Sequence, residues 1–297
     1  MKKRILITGS AGMLGATLVA MWQSKFDVFA TAKSNFSGNP TKNFMPFDLL
    51  SNSYEELIQW AEPDIIVHCA AITDVDFCEK NPDQAMLVNS ESVKKFLNYG
   101  INARLIFISS EAVFPDGLSM ASEKDQTAPV TIYGLSKELG EKHIQMAGNS
   151  HIAIRTTIIG KNINTSNQGF IEWILNSVKN AEKITLFGDA FFTPISIWHL
   201  GNEIAWIMNN NLKGIVHIAG QEPISKYDLG VKICKGLNLD LSLIQKGSID
   251  DIHFKAKRSK DQTIDSSYYQ LISKRTLPTI DKTVELLIQN FKDYANA

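Results

Sequence analysis

Through the first half of the chain, short runs of consecutive apolar residues alternate with longer stretches in which apolar positions return every three or four residues. The runs Arg4–Thr8, Asp27–Ala32, Asp64–Ala70, Arg104–Ser109 and Ala153–Thr157 are rich in β-branched residues, as strands buried on both faces are. Met13–Ser24, Tyr54–Trp60, Asp83–Tyr99 and Ile132–Ala147 carry the helical period. This alternation predicts an α/β protein whose doubly wound parallel sheet is joined by right-handed crossovers. After Ile159 the pattern breaks into GKNINTSNQG, a polar loop ahead of a helix that opens near Phe170. A second loop, GDAFFTPISI, leads to a helix over Leu200–Met208, then a strand over Gly214–Ala219 and helices at Lys226–Gly236 and Ile280–Tyr294. Residues 1–157 and 186–220 are expected to form the larger domain, and 158–185 and 221–297 a smaller, partly interleaved α/β lobe. Trp198-His199, just past Pro194, reads as a brace between the two.

At 297 residues, 44% of them hydrophobic and 21% charged, the chain has material for a sizeable core and is too apolar for disorder. Thirty Lys and Arg against thirty-one Asp and Glu leave a net charge of −1, so no basic field draws the chain to nucleic acid. No window approaches the roughly 20 continuous apolar residues of a membrane span, and a soluble protein is expected. The apolar stretch after the opening MKKR stops at Gly9, too soon for a secretory signal. Cys69, Cys78 and Cys234 are odd in number and lack CxxC spacing, which predicts reduced thiols and a cytoplasmic location. The six histidines form no HxH or HExxH pattern, so no metal site is expected, and His68 and His217 read as hydrogen-bonded core residues.

The first strand runs into Gly9-Ser10-Ala11-Gly12-Met13-Leu14-Gly15, directly ahead of a helix. In that setting each glycine has a use. Gly9 permits the tight turn, Gly12 lets a pyrophosphate approach the helix N-terminus, and Gly15 lets helix and sheet pack closely. The turn therefore predicts a Rossmann-type dinucleotide site. Past the second strand, where a carboxylate would hold a ribose 2′-hydroxyl, stands Lys33, whose ammonium suits a 2′-phosphate and so NADPH; NADH stays open, because an exposed Lys is also an ordinary surface residue. Asp48, beside Leu49 and after Phe44–Phe47, is placed to accept from an adenine amino group or to cap a helix.

Tyr133 and Lys137 lie four apart, on one face of a predicted helix. A phenol of ordinary pKa about 10 relays protons poorly at neutral pH, and bringing it near 7 takes about 4 kcal/mol of preferential stabilisation of the phenolate. A nearby ammonium acts in that direction and can also hold ribose hydroxyls. Ser110, delivered to the sheet's carboxyl edge by the fourth strand, can donate to a carbonyl oxygen as it gains charge, or simply cap a turn.

With these motifs in place, the chain resembles the extended short-chain dehydrogenase/reductases along its length, and within them the dTDP-4-dehydrorhamnose reductase-like nucleotide-sugar 4-ketoreductases. The resemblance is carried by GxxGxxG, YxxxK and four further stretches. Ala70-Ala71-Ile72-Thr73-Asp74-Val75-Asp76 with Glu79 is similar to AAxTxVDxxE. Asn89 stands in the LNxxxV position, Ser109-Ser110-Glu111-Ala112-Val113-Phe114 resembles STDYVF, and Lys257–Asp261 with Ile264-Asp265 resembles RPKxxxLD. The resemblance implies that Ala71, Ile72 and Thr73 pass along the cofactor, that Thr73, Val75, Ser110, Glu111 and Ile158 meet the sugar, and that the Lys257–Asp265 stretch approaches the substrate pocket; within the basic run Lys255–Arg258, the planar fork of Arg258 suits a diphosphate, or the run is a solvated charged loop. Three positions depart from the pattern: Glu111-Ala112 replaces Asp-Tyr, Ile158 replaces an aromatic residue, and Ser259 replaces Pro.

The implied reaction is NADPH-dependent reduction of the C4 ketone of a nucleotide-linked 4-keto-6-deoxyhexose, with Tyr133 as proton donor. Two alternatives stand beside it. One is an NAD-dependent nucleotide-sugar epimerase or dehydratase. The other is a cofactor-binding regulatory subunit similar to methionine adenosyltransferase beta. A nucleotide sugar is the expected partner, without nucleic acid or membrane, and homodimerisation is expected by analogy.

Overall fold

A computed structural model describes residues 2–36, 38–148 and 150–295. Strands β1 (Arg4–Thr8), β2 (Asp27–Ala32), β3 (Phe44–Pro46), β4 (Ile65–His68), β5 (Arg104–Ile108), β6 (Ile152–Arg155) and β7 (Gly214–His217) form one parallel sheet in the order β7-β6-β5-β4-β1-β2-β3. Successive side chains divide between its faces, as the two-residue period of a strand requires. Ile5, Ile7, Ile65, Val67, Ile106 and Ile108 enter one core, whereas Leu6, Ile66, Leu105 and Phe107 enter the other. The covering helices are α1 (Met13–Trp22), α2 (Tyr54–Ala61), α3 (Ser92–Tyr99), α4 (Ile132–Met146) and α5 (Ile197–Met208). Leu14, Leu18 and Trp22 of α1 meet Leu200 and Ile204 of α5 in the first core, and Leu57, Phe96 and Ile144 of α2, α3 and α4 fill the second.

A third core belongs to the smaller lobe. Helices Phe170–Lys179, Lys226–Gly236 and Ile280–Asn290 bury Ile174, Ile233 and Leu287 with Leu186 and Phe192. The strand Ile184–Phe187 pairs in parallel with Ile244–Gly247. Leu186 and Phe192 pack in this core and Ile195 in the larger one, so the chain passes from one core to the other between 192 and 195. Tyr269 and Leu277 also return to the larger core, so the region after 221 serves both. Trp198 touches both cores.

Two short helices, Val75–Lys80 and Ser267–Ser273, escape the apolar pattern because neither is long enough to show a period. The helix expected over Asp83–Tyr99 is interrupted by a π turn at Leu87–Glu91, which carries Asn89. An extra residue in a helical turn is a device that often marks a working position.

Candidate active site

Strand order reverses between β1 and β4, and beside their carboxyl ends lies a cleft of about 930 Å³. The residues expected to meet cofactor or sugar line it. Gly9, Gly12, Met13, Leu14 and Gly15 form one end, with Lys33, Asp48 and Leu49 beyond β2 and β3. Ala71, Ile72, Thr73 and Val75 follow β4; Ser110, Glu111, Tyr133 and Lys137 follow β5; Ile158 and Arg258 complete the wall.

The glycine turn separates what the fold demands from what a ligand demands. Gly9 has φ +67°, and a Cβ there would sit 2.7 Å from the Ala70 backbone, while a Cβ on Gly15 would sit 2.3 Å from the Gly9 carbonyl oxygen. A Cβ on Gly12 would meet only that same oxygen, at 3.3 Å, so the protein itself asks little of this position. The helix that starts here has no side-chain cap and no acidic residue in its first turn, leaving its leading N–H groups for an anion. A dinucleotide's pyrophosphate fits this cradle. Asn164 and Asn167 of the polar loop donate to the Ala11 carbonyl at 3.3 and 2.9 Å and tie the smaller lobe to the turn.

Lys33 and Asp48, assigned separately from the sequence, form a single pair: Lys33 Nζ lies 3.2 Å from Asp48 Oδ2. The Leu50 N–H, which donates to Asp48 Oδ1 at 3.0 Å, holds that carboxyl below its usual range, and Lys33 acts the same way. Capping of α2 falls instead to Ser53, whose Oγ accepts from Glu56 N.

Ser110 is both turn cap and candidate catalytic hydroxyl. Its Oγ accepts from Ala112 N at 3.2 Å and donates to Glu111 Oε2 at 2.8 Å. Tyr133 stands in the first turn of α4, capped by Thr131 Oγ1, which accepts from Gly134 N at 3.0 Å. Glu79 Oε1 accepts from Ile132 N at 2.8 Å and fixes the same end. Burial raises the Tyr133 phenol well above its ordinary value; the Glu111 carboxylate pushes the same way, and a hydrogen bond with Ser110 opposes both. The lowering expected of a nearby ammonium is overridden by desolvation. Lys137 itself is buried, with Nζ 4.1 Å from the centre of the Phe107 ring, and burial draws its ammonium down to about 7 against the opposing field of Glu141.

Asn89 links two walls of the cleft. Its Oδ1 accepts from Ile72 N at 2.8 Å, and its Nδ2 donates to Ile72 O and Ser136 Oγ, both at 2.9 Å. At the far side of α4, Arg155 donates to both oxygens of Glu141 at 2.9 and 2.7 Å, and Ser109 Oγ donates to Oε1 at 2.5 Å. The helix bearing Tyr133 and Lys137 is thereby fixed to β5 and β6. On the lobe side, Asp76 Oδ2 accepts from Arg258 Nη2 at 3.0 Å and Oδ1 from Ala256 N at 2.8 Å. Lys226, the first residue of the helix Lys226–Gly236, also lines the cleft.

The two strand histidines are core residues. Ser92 Oγ donates to Val88 O, which leaves it to accept from His68 Nε2 at 2.8 Å, while His68 Nδ1 accepts from the Thr8 hydroxyl at 2.7 Å. His217 is buried against Arg155. Among the described residues no cluster of His, Cys, Asp or Glu gathers to hold a metal ion, and no helix is long and apolar enough to cross a membrane.

Comparison with known proteins places this geometry in context. Residues 2–293 match the RmlD substrate binding domain. A probable low-salt glycan biosynthesis reductase of Haloferax volcanii is 27% identical over 98% of this chain and 99% of its own length. The dTDP-4-dehydrorhamnose reductase of Escherichia coli is 30% identical over 64% of this chain and 68% of its own. Methionine adenosyltransferase 2 subunit beta of Mus musculus is 26% identical over 89% and 81%. Among solved structures, a Bacillus anthracis dTDP-4-dehydrorhamnose reductase in complex with NADP superposes with a TM-score of 0.86 at 24% identity, covering 97% of this chain and 99% of that one.

Proposed function

The chain belongs to the RmlD substrate binding domain family, and on that footing we propose that it is a nucleotide-sugar oxidoreductase that reduces the C4 ketone of a nucleotide-linked 4-keto-6-deoxyhexose. NADPH is the proposed reductant, with NADH as the alternative. The observation that carries the reading is the meeting of Ser110, Tyr133 and Lys137 in the same cleft as an uncapped glycine turn. The reductases of Haloferax volcanii and Escherichia coli, and the NADP bound by the Bacillus anthracis protein, support it.

A bound nicotinamide supplies the hydride. The protein's residues handle binding and the proton. The turn from Gly9 to Gly15, with Met13 and Leu14, holds the pyrophosphate; Lys33 faces the 2′-phosphate, Asp48 and Leu49 the adenine, and Ala71, Ile72 and Thr73 the length of the cofactor. Lys137 donates to ribose hydroxyls. Tyr133, kept protonated by its surroundings, gives its proton to the oxygen of the reduced carbon, while the Ser110 hydroxyl orients that oxygen. Thr73, Val75, Glu111 and Ile158 face the sugar, and Arg258, oriented by Asp76, meets its diphosphate. In this reading the larger domain binds the cofactor and the smaller lobe the sugar nucleotide. The three free thiols support a reducing compartment such as the cytoplasm.

The test is to mix the protein with dTDP-, UDP- and GDP-linked 4-keto-6-deoxyhexoses and follow NADPH absorbance. Oxidation with at least one of them is expected. Interconversion of sugars without net NADPH consumption indicates an epimerase. Silence across the panel, with a co-purifying catalytic partner, indicates a regulatory subunit of the kind the mouse relative's name describes.

A further inference from the structure

Between the short turn Ile249–Asp251 and the strand Asp261–Gln262, the smaller lobe runs through residues 252–260 without helix or strand, and Phe254, Lys257, Arg258 and Ser259 of that segment line the cleft. Two carboxylates of the larger domain hold it, each taking one backbone N–H and facing one cation. Asp76 Oδ1 accepts from Ala256 N at 2.8 Å, and its Oδ2 from Arg258 Nη2 at 3.0 Å. Asp116 Oδ1 accepts from Lys260 N at 3.0 Å, and its Oδ2 lies 3.7 Å from Lys257 Nζ. Asp76 stands beside Val75 in the helix Val75–Lys80 that follows β4, and Asp116 comes just after the turn Glu111–Val113 that follows β5. The connections that carry Thr73, Val75, Ser110 and Glu111 into the cleft therefore also carry both holds. Lys260 sends its side chain the other way, to Asp189 at 3.3 Å and to Asp250 within its own lobe.

We propose that Asp76 and Asp116 are positioning residues that clasp segment 254–260 against the larger domain, and that the diphosphate of a bound sugar nucleotide strengthens the clasp through Arg258. This inference rests on the nucleotide-sugar reading above and deepens it. Water reaches both ion pairs, so neither charge contact alone holds the segment firmly; the two backbone N–H bonds fix its place, and the cations respond to what enters the cleft. A guanidinium carries five donors in a rigid fork. Asp76 takes one of them through Nη2, the Phe254 ring centre lies 5.1 Å from Cζ, and Nε and Nη1 make no hydrogen bond among the described residues. A diphosphate can take those donors without displacing Asp76, so that carboxylate and ligand hold one guanidinium together. By linkage, whatever the ligand adds to the closed segment the closed segment returns as affinity for the ligand. The glycine turn lies at the other end of the cleft, which leaves the cofactor outside this coupling.

Trypsin reads the clasp directly, because the segment and its flank carry Lys255, Lys257, Arg258 and Lys260. On the NADP-loaded full chain, saturating dTDP-glucose or UDP-glucose should slow cleavage in the segment, located by mass spectrometry, at least about fivefold. Asp116→Ala should speed that cleavage about tenfold without ligand; Asp116→Asn, which can still accept from Lys260 N but no longer bears the charge that faces Lys257, should fall between. By calorimetry, Asp76→Ala and Asp116→Ala should each weaken the sugar nucleotide about tenfold and leave NADP affinity unchanged, and in an Arg258→Met background the loss from Asp76→Ala should shrink to about threefold. Segment cleavage at the wild-type rate in both alanine variants overturns the clasp, as does a speed-up matched at every other tryptic site or an equal loss of NADP and sugar nucleotide. Fully additive losses in the Arg258→Met background overturn the route through Arg258. Faster segment cleavage in the variants, with no protection of the wild type by either sugar nucleotide, upholds the two holds and contradicts both the nucleotide-sugar reading and the ligand's part in the clasp.

Discussion

Tyr133 sits where burial and a neighbouring carboxylate both favour its neutral form, as the proposed role of proton donor requires. Tyr133→Phe should bind NADPH as the wild type does and lose about 10²–10⁴-fold in turnover; fluorescence titration and steady-state assay separate the two quantities, and unimpaired turnover removes Tyr133 from the chemistry. Lys33 presents a different balance, since Asp48 already occupies part of its field. Lys33→Ala should weaken NADPH about fivefold and NADH little, whereas Asp48→Asn should tighten NADPH relative to NADH. Equal changes for both cofactors would show that the pair reads something other than the 2′-phosphate. His68 and His217 give a third residue-scale expectation. Burial holds both rings down to about 3, so below their ordinary value of about 6.5 the unfolded chain takes up protons that the native rings refuse. Stability should fall steadily as pH drops from about 6.5 towards 3. Urea midpoints across that range should show a shallower pH slope in His68→Gln than in the wild type. Tyr133 and Lys137, four positions apart on one helix, were legible as neighbours in the sequence, and both line the cleft. Arg258 and Asp76, 182 positions apart, were not paired by the sequence.

At the scale of elements, the glycine turn does two jobs that one substitution tests together. A Cβ at Gly15 would press on the Gly9 carbonyl at 2.3 Å and on Ser10 Cα at 3.0 Å, so Gly15→Ala should cost about 1–3 kcal/mol in thermal or urea unfolding and move the turn enough to lose most NADPH affinity. Wild-type stability and affinity in that variant would contradict the close packing of α1 on β1. The inner strands of the main sheet were legible because burial on both faces gives them unbroken apolar runs, and β1 and β2 fall where the pattern puts them. The interruption of the helix ahead of α3 was not. Asn89 fits a helical period as well as any polar residue does, and its bonds from the π turn run to Ile72 and Ser136, 17 and 47 positions away. The loop after Ile159 likewise read as a plain connector, although Asn164 and Asn167 fasten it to the glycine turn.

For the molecule as a whole, the two lobes are interleaved more than the sequence suggested, since Tyr269 and Leu277 return to the sheet's core and Trp198 joins both cores. The apolar pattern marks which residues are buried but not which core receives them. A net charge of −1 is compatible with a doubly charged sugar nucleotide because the cations that matter are local: Lys33, Lys226, Lys257 and Arg258 all line one cleft. The central claim, that this cleft reduces a sugar ketone, is met most directly by supplying NADPH carrying deuterium at the transferable C4 position with a nucleotide-linked 4-keto-6-deoxyhexose and examining the product by NMR. Deuterium at C4 of the sugar, with one NADPH consumed per sugar reduced, is the result expected. Unlabelled sugar with NADPH intact, whether or not the sugar has been isomerised, would contradict it.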